Sequence, residues 1–272
     1  MGTGVNASAR TAADTGRTSV RQQERQLLFA GVDGLRAGGA RILEIVGEPG
    51  IGKTTLITDL LDHARARGLA VLADRCTEFE QDIPFGAFMG VLGGAVTAEV
   101  LAELPPLAAD ILWRALSPVR PSGASIPADT SRYSFYRTAR LLLEHLARDG
   151  LVLALDDLHW ADERSVEFVD YLIRRPVQAP LLLVVAHRDR QASFRLRSTL
   201  AHGVTLGTID RIELGPLSLA EAAQLTGLPA RSQRLRELHR DSNGNPLYLL
   251  ALARLGAAPE APGALPVGDP VF

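Results

Sequence analysis

Eight residues, Gly47-Glu-Pro-Gly50-Ile-Gly52-Lys53-Thr54, restrict the folds open to this chain more than any other stretch. They follow Arg41-Ile-Leu-Glu-Ile-Val46, a short β-branched run with the character of a buried strand. They precede Thr55 to Arg67, where Leu56, Leu60, Leu61 and Ala64 recur at helical spacing before Gly68, placed as a C-cap. The pattern is G-x-x-x-x-G-K-[ST] set between a strand and a helix. Its glycines let backbone N–H groups close around phosphate oxygens with no Cβ in the way. The helix starting near Lys53 directs the positive end of its dipole at the same anion. Lys53 brings a compact ammonium to β- and γ-phosphates, and Thr54 offers a hydroxyl to Mg²⁺.

A glycine-rich turn would match this pattern by chance on the order of 1% of the time in a chain this long. Here 28 of the basic residues are arginine and one is lysine, and that one lysine stands in the motif. The nucleotide contacts expected from this P-loop are Gly47, Glu48, Pro49, Gly50, Ile51, Gly52, Lys53, Thr54 and Thr55. The expected partner is Leu151-Val-Leu-Ala-Leu155, a fully apolar strand running into Asp156-Asp157 and placed beside the P-loop strand. Asp156 would hold Mg²⁺, directly or through water, and Asp157 would orient or polarise the attacking water. The next apolar strand, Leu181 to Ala186, leads into His187-Arg188. Arg188 is open to two readings, a sensor of the γ-phosphate or a surface arginine paired with Asp189. Trp160 is read as a staple between helix and sheet, with no catalytic duty.

Apolar strands alternating with helices indicate an α/β fold, a parallel sheet covered on both faces in the manner of a P-loop NTPase three-layer sandwich. Residues 1–20 are small and polar and read as a disordered terminus, and 21–214 as the α/β domain. Within that domain a helix is expected from Arg21 to Arg36, with Leu27, Leu28, Val32 and Leu35 on one face, and a second strand from Leu69 to Asp74. Residues 83–150 read as helices, broken at Gly93-Gly94, Pro105-Pro106 and a Pro/Ser/Gly stretch at 117–127 that suits a mobile loop. Beyond Leu214 only helices are expected, near 218–226, 232–241 and 246–255, forming a small helical lid over 215–256 before a linker-like 257–272.

The 272 residues carry a formal charge of −2 and a pI near 6.3, which supplies no global basic surface for nucleic acid or anionic lipid. Cys76 is the single cysteine, so no intrachain disulfide is available; its expected role is a small buried hydrophobe rather than a catalytic thiol. No apolar run reaches membrane-spanning length and no signal-peptide core opens the chain, so a soluble, cytoplasmic protein is expected.

With these residues in view the chain resembles the ATPase domain of the STAND class of P-loop NTPases, in particular that of the large ATP-binding LuxR-type transcriptional regulators. The matching pieces are GEPGIGKTTL at 47–56, LALDDLHWADERSVEFVDYL at 153–172, VVAHRD at 184–189, LGPLSLAEAAQL at 214–225 and SNGNPLYLLAL at 242–252. The resemblance implies an ADP-off, ATP-on switch with slow hydrolysis. It places Asn245 and Pro246 where the family's lid meets the adenine side of the nucleotide, and Arg188 at its sensor position. It further implies self-association or contact with other domains of a longer regulator, and an inducer of unspecified kind. The chain departs from the family at Val20-Arg-Gln-Gln-Glu-Arg25, where a GRE-type motif usually stands, and it stops near Phe272 with no helix-turn-helix, so no DNA contact is expected of it. It reads either as a fragment of a longer regulator or as a free-standing truncated relative. Two other function classes fit the same P-loop: a small-molecule kinase, and a nucleotide-dependent interaction module with negligible hydrolysis.

Overall fold

The computed structural model describes residues 20–35, 38–116 and 132–255. The expected disordered terminus before Val20, the loop at 117–127 and the linker at 257–272 lie outside the described residues. The chain divides into two compact units, Arg21–Gly215, and Met1–Val20 with Pro216–Phe272.

The first unit is built on five parallel strands, β1 (Arg41–Gly47), β2 (Ala70–Arg75), β3 (Leu151–Asp156), β4 (Leu181–His187) and β5 (Ile209–Leu214), in the order β2-β3-β4-β1-β5. Around them run α1 (Gln22–Asp33), α2 (Lys53–Ala66), α3 (Gly86–Gly93), α4 (Ala98–Ala102), α5 (Pro106–Leu116), α6 (Arg132–Leu146), α7 (Glu163–Arg174) and α8 (Phe194–Thr205). Strands β3 and β4 are apolar at nearly every position because both faces are covered. Along β3, Leu151, Leu153 and Leu155 join one core with Phe88, Leu142 and Phe168, while Val152 and Ala154 join another with Leu28, Leu56 and Leu60. On β4 the same alternation puts Leu183 and Val185 into the first core and Leu182 and Val184 into the second. Truncating a fully buried leucine such as Leu142 in such a core typically costs about 2–5 kcal/mol.

Two expectations need correction, and one helix was not anticipated. Strand β3 does not neighbour β1: β4 lies between them, paired to β1 from Arg41↔Leu182 to Val46↔His187 and to β3 from Leu151↔Leu181 to Leu155↔Val185. Apolar pattern identifies a buried strand but not its neighbours: β3 and β4 are both buried along their whole length, and each has two parallel partners. Helix α1 starts at Gln22, and it turns Arg25, Leu28, Gly31 and Val32 inward, leaving Leu27 exposed. Helix α8 was not anticipated: its buried stripe is Leu196, Thr199, Leu200 and Gly203, too small and polar to read as an apolar face, although Ser193 caps it by accepting the Leu196 N–H.

The second unit holds α9 (Leu219–Thr226), α10 (Gln233–Asp241) and α11 (Pro246–Leu255) around Leu217, Ala222, Leu235, Leu238 and Leu249. Ser218 and Glu221 form a capping box at the start of α9, and Ser232 caps α10. No helix among the described residues is long and apolar enough to cross a membrane.

Candidate functional site

The carboxyl ends of β1, β2, β3 and β4 bring together residues far apart in sequence. Between β1 and α2 the loop turns through Gly50 at φ 73° and Gly52 at φ 109°, left-handed conformations that favour glycine. Ile51 anchors the turn: its side chain is buried in the second core and its N–H donates to the Glu48 carbonyl at 3.3 Å. Lys53 is buried, and its Nζ donates to the carbonyls of Gly47 at 2.7 Å and Glu48 at 3.1 Å, which curls the ammonium back over the loop. Burial, followed by the positive charge of Arg188, lowers the Lys53 pKa below its ordinary 10.5, with Asp157, Asp156 and Glu48 opposing the shift. The side chain of Glu48 faces outward, 3.3 Å from Arg190, and Pro49 and Thr55 are exposed.

Thr54 Oγ1 donates to Asp156 Oδ2 at 2.5 Å, joining positions 102 residues apart. The other Asp156 oxygen accepts the Asp157 N–H at 2.8 Å, and both aspartates are buried. A hydroxyl and a carboxylate in contact beside the loop are hard oxygen donors of the kind magnesium takes. The residues present therefore fit the ion.

Asp157 sits at φ 51° with its carboxylate held by Arg75, whose Nε and terminal nitrogen donate to Oδ2 at 2.7 and 2.5 Å. That hydrogen bond is the main reason the Arg75 guanidinium is raised above its ordinary pKa. Arg188 approaches the other oxygen of Asp157 at 3.8 Å and donates to Gln191 at 3.1 Å, so it turns to the acidic pair rather than to Asp189. His159 is buried with Nδ1 3.8 Å from Asp157, neither ring nitrogen has a hydrogen-bond partner among the described residues, and burial pushes its pKa down to about 4. Trp160 packs on the first core against the His159 ring. Burial pushes the Cys76 thiol up to about 12, which leaves it a buried hydrophobe and a poor nucleophile.

Beneath the loop, Glu44 on β1 is fully buried and accepts from His187 Nε2 at 2.7 Å and from Arg211 at 2.8 and 3.1 Å. A carboxylate only accepts, so Nε2 of His187 carries the proton. Arg21, the residue before α1, is 6% exposed and donates to the carbonyls of Ile51 at 3.1 Å and Gly215 at 2.6 Å. Asn245 and Pro246 belong to the second unit. There Asn243 and Gly244 turn at φ 48° and 67°, Asn245 Oδ1 accepts the Leu247 N–H at 3.0 Å, and Pro246 opens α11.

Sequence reasoning passed over Arg75, Glu44, Arg211 and the direct role of Arg21. Arg75 was within reach once β2 is placed beside β3, since the register pairs it with Asp156.

A family model of the AAA ATPase domain matches residues 19–185. Among solved structures, Drosophila ORC bound to DNA is similar at 15% identity and TM-score 0.54, over 90% of this chain and 58% of that one. The Aeropyrum pernix ORC2 protein is similar at 17% identity and TM-score 0.51, over 87% and 61%. A point variant of Thermotoga maritima RuvB is similar at 16% identity and TM-score 0.46, over 86% and 60%. At these identities the likeness concerns the fold, and the chain spans less than two thirds of the length of each of these structures. No curated protein matches the sequence.

Proposed function

The chain belongs to the AAA ATPase domain family, and we propose that it works as a slow, magnesium-dependent ATP switch, the nucleotide module of a LuxR-type transcriptional regulator of the STAND class. The observation that carries the nucleotide reading is the meeting of Thr54 with Asp156 beside the Lys53 ammonium. In this proposal the loop amides and Lys53 bind the β- and γ-phosphates, Thr54 and Asp156 hold Mg²⁺, and Arg188 stands near the terminal phosphate. Magnesium, when bound, neutralises charge on the phosphate oxygens. Asp157 orients the water that attacks the γ-phosphate and accepts its proton. The regulator reading is supported by the DDLHWAD and SNGNPLYL stretches, which stand at 156–162 and 242–249. A switch must dwell in each state, so its turnover is slow. Other domains, a second copy of the chain and an inducer are the partners this role requires.

The Arg75–Asp157 pair favours one further reading, an interaction module that binds nucleotide and barely hydrolyses it. A carboxylate with one oxygen already taken by a guanidinium has fewer lone pairs left to hold water. Phosphate release measured under single-turnover conditions separates the two. The switch reading expects slow release from the wild type and a loss of about a hundredfold in Asp157→Asn with nucleotide still bound. Equal silence from both proteins, each saturated with Mg-ATP, leaves the interaction module in its place.

A further inference from the structure

We propose that Arg21 is a positioning residue that ties the phosphate loop to Gly215, just past β5, so that order in the loop and order at the end of the α/β unit rise and fall together. The side chain is buried, and one terminal nitrogen donates to two carbonyls, that of Ile51 in the loop and that of Gly215. Arg21 is the first residue of the α/β unit and Gly215 its last, so this guanidinium gathers both ends of the unit at the loop.

The contact with Ile51 acts on the cradle itself. In a trans peptide the carbonyl of Ile51 and the N–H of Gly52 point in opposite directions. Holding the carbonyl from one side therefore fixes the direction of the Gly52 amide on the other, within the stretch that would face phosphate. Arg21 also carries backbone strain. It sits at φ 60°, ψ 44° at the N-cap of α1 and makes no side-chain capping bond there. Glycine, asparagine or aspartate would suit that position better. Its guanidinium instead reaches back to the loop, with a second nitrogen 3.1 Å from Glu24 that keeps it aimed. A strained arginine that reaches the loop and the end of the unit, rather than capping its own helix, marks a constraint beyond helix formation.

Part of the proposal, that nucleotide orders the 211–215 segment through Arg21, rests on the ATP-binding reading above; the mechanical tie does not. The test is hydrogen exchange by mass spectrometry on the full chain, for the wild type, Arg21→Gly and Arg21→Lys, without nucleotide and with Mg-ADP. Glycine suits the left-handed backbone and removes the guanidinium, so Arg21→Gly is expected to fold, and the apolar strand at 151–155 reports on that as an internal control. Without nucleotide, peptides covering 48–53 and 211–215 should both exchange about ten- to a hundredfold faster in Arg21→Gly, as the loss of a buried charged donor predicts, while 151–155 stays unchanged. Arg21→Lys should fall between, since one ammonium at a shorter reach holds one carbonyl rather than two. With Mg-ADP, both peptides should slow in the wild type and only the loop peptide in Arg21→Gly. The proposal is overturned if either peptide keeps its wild-type rate in Arg21→Gly, if 151–155 accelerates with them in both variants, or if Mg-ADP still slows the 211–215 peptide in Arg21→Gly. A wild type that ignores Mg-ADP sinks the nucleotide reading, and the nucleotide-free comparison then decides the tie on its own.

Discussion

Glu44 is the residue whose replacement should be felt most sharply beneath the phosphate loop. It stands three positions before Gly47 on β1, has no exposed surface, and holds strands β4 and β5 to the loop strand through His187 and Arg211. Glu44→Ala leaves His187 without its acceptor and Arg211 without its counter-charge. Removing one partner of a buried pair typically costs about 3–5 kcal/mol. The Arg211 side chain is 31% exposed and turns to water more easily than a buried one, so the expected loss lies near the lower end, about 3 kcal/mol. Glu44→Gln keeps the shape and one acceptor, and should lose about half of that. Urea unfolding followed by far-UV circular dichroism at pH 7 measures both. Burial pushes the Glu44 carboxyl up, but hydrogen bonds from His187 and Arg211 outweigh it, leaving the pKa below the ordinary 4.5. A depressed carboxyl stabilises the fold above its unfolded pKa and loses that contribution as pH falls through the folded value. The wild-type advantage over Glu44→Gln should therefore hold above pH 4.5 and shrink below it. A loss smaller than about 1 kcal/mol in Glu44→Ala at pH 7 would refute the reasoning.

Two further outcomes follow from buried groups. His159 has its pKa lowered from 6.5 to about 4, so between those values the unfolded chain takes up a proton that the folded chain does not; stability should fall by up to about 3 kcal/mol as pH drops through that window, and His159→Phe should flatten the slope in the same unfolding assay. Cys76, buried and with its thiol pushed up to about 12, should resist iodoacetamide at pH 8 in the native protein and react once urea unfolds it; rapid labelling of the folded chain would contradict that placement.

The sheet and its loop were legible because their signals are local. Strands β3 and β4 are buried on both faces and so show unbroken apolar runs, and the phosphate loop must lie between a strand and a helix. Ser218, Ser232 and Pro246 mark the starts of α9, α10 and α11 for the same reason, since capping chemistry acts within one turn. What stayed hidden depends on which strands are neighbours. Asp157 meets Arg75 only because β2 lies beside β3, and Glu44 meets His187 and Arg211 only because β1 lies between β4 and β5. Nothing within a few residues of Glu44 announces a buried carboxylate on a strand. The reach of Arg21 across 194 positions to Gly215 is hidden in the same way.

The nucleotide site is tested most directly by titration calorimetry of Mg-ATP into the wild type and into Lys53→Ala. One-site binding is expected for the wild type, with affinity at least about tenfold weaker in the variant, because the ammonium proposed to meet the phosphates is gone. A wild type that binds no Mg-ATP, or a variant that binds as tightly as the wild type, would contradict the claim that this loop is a nucleotide site.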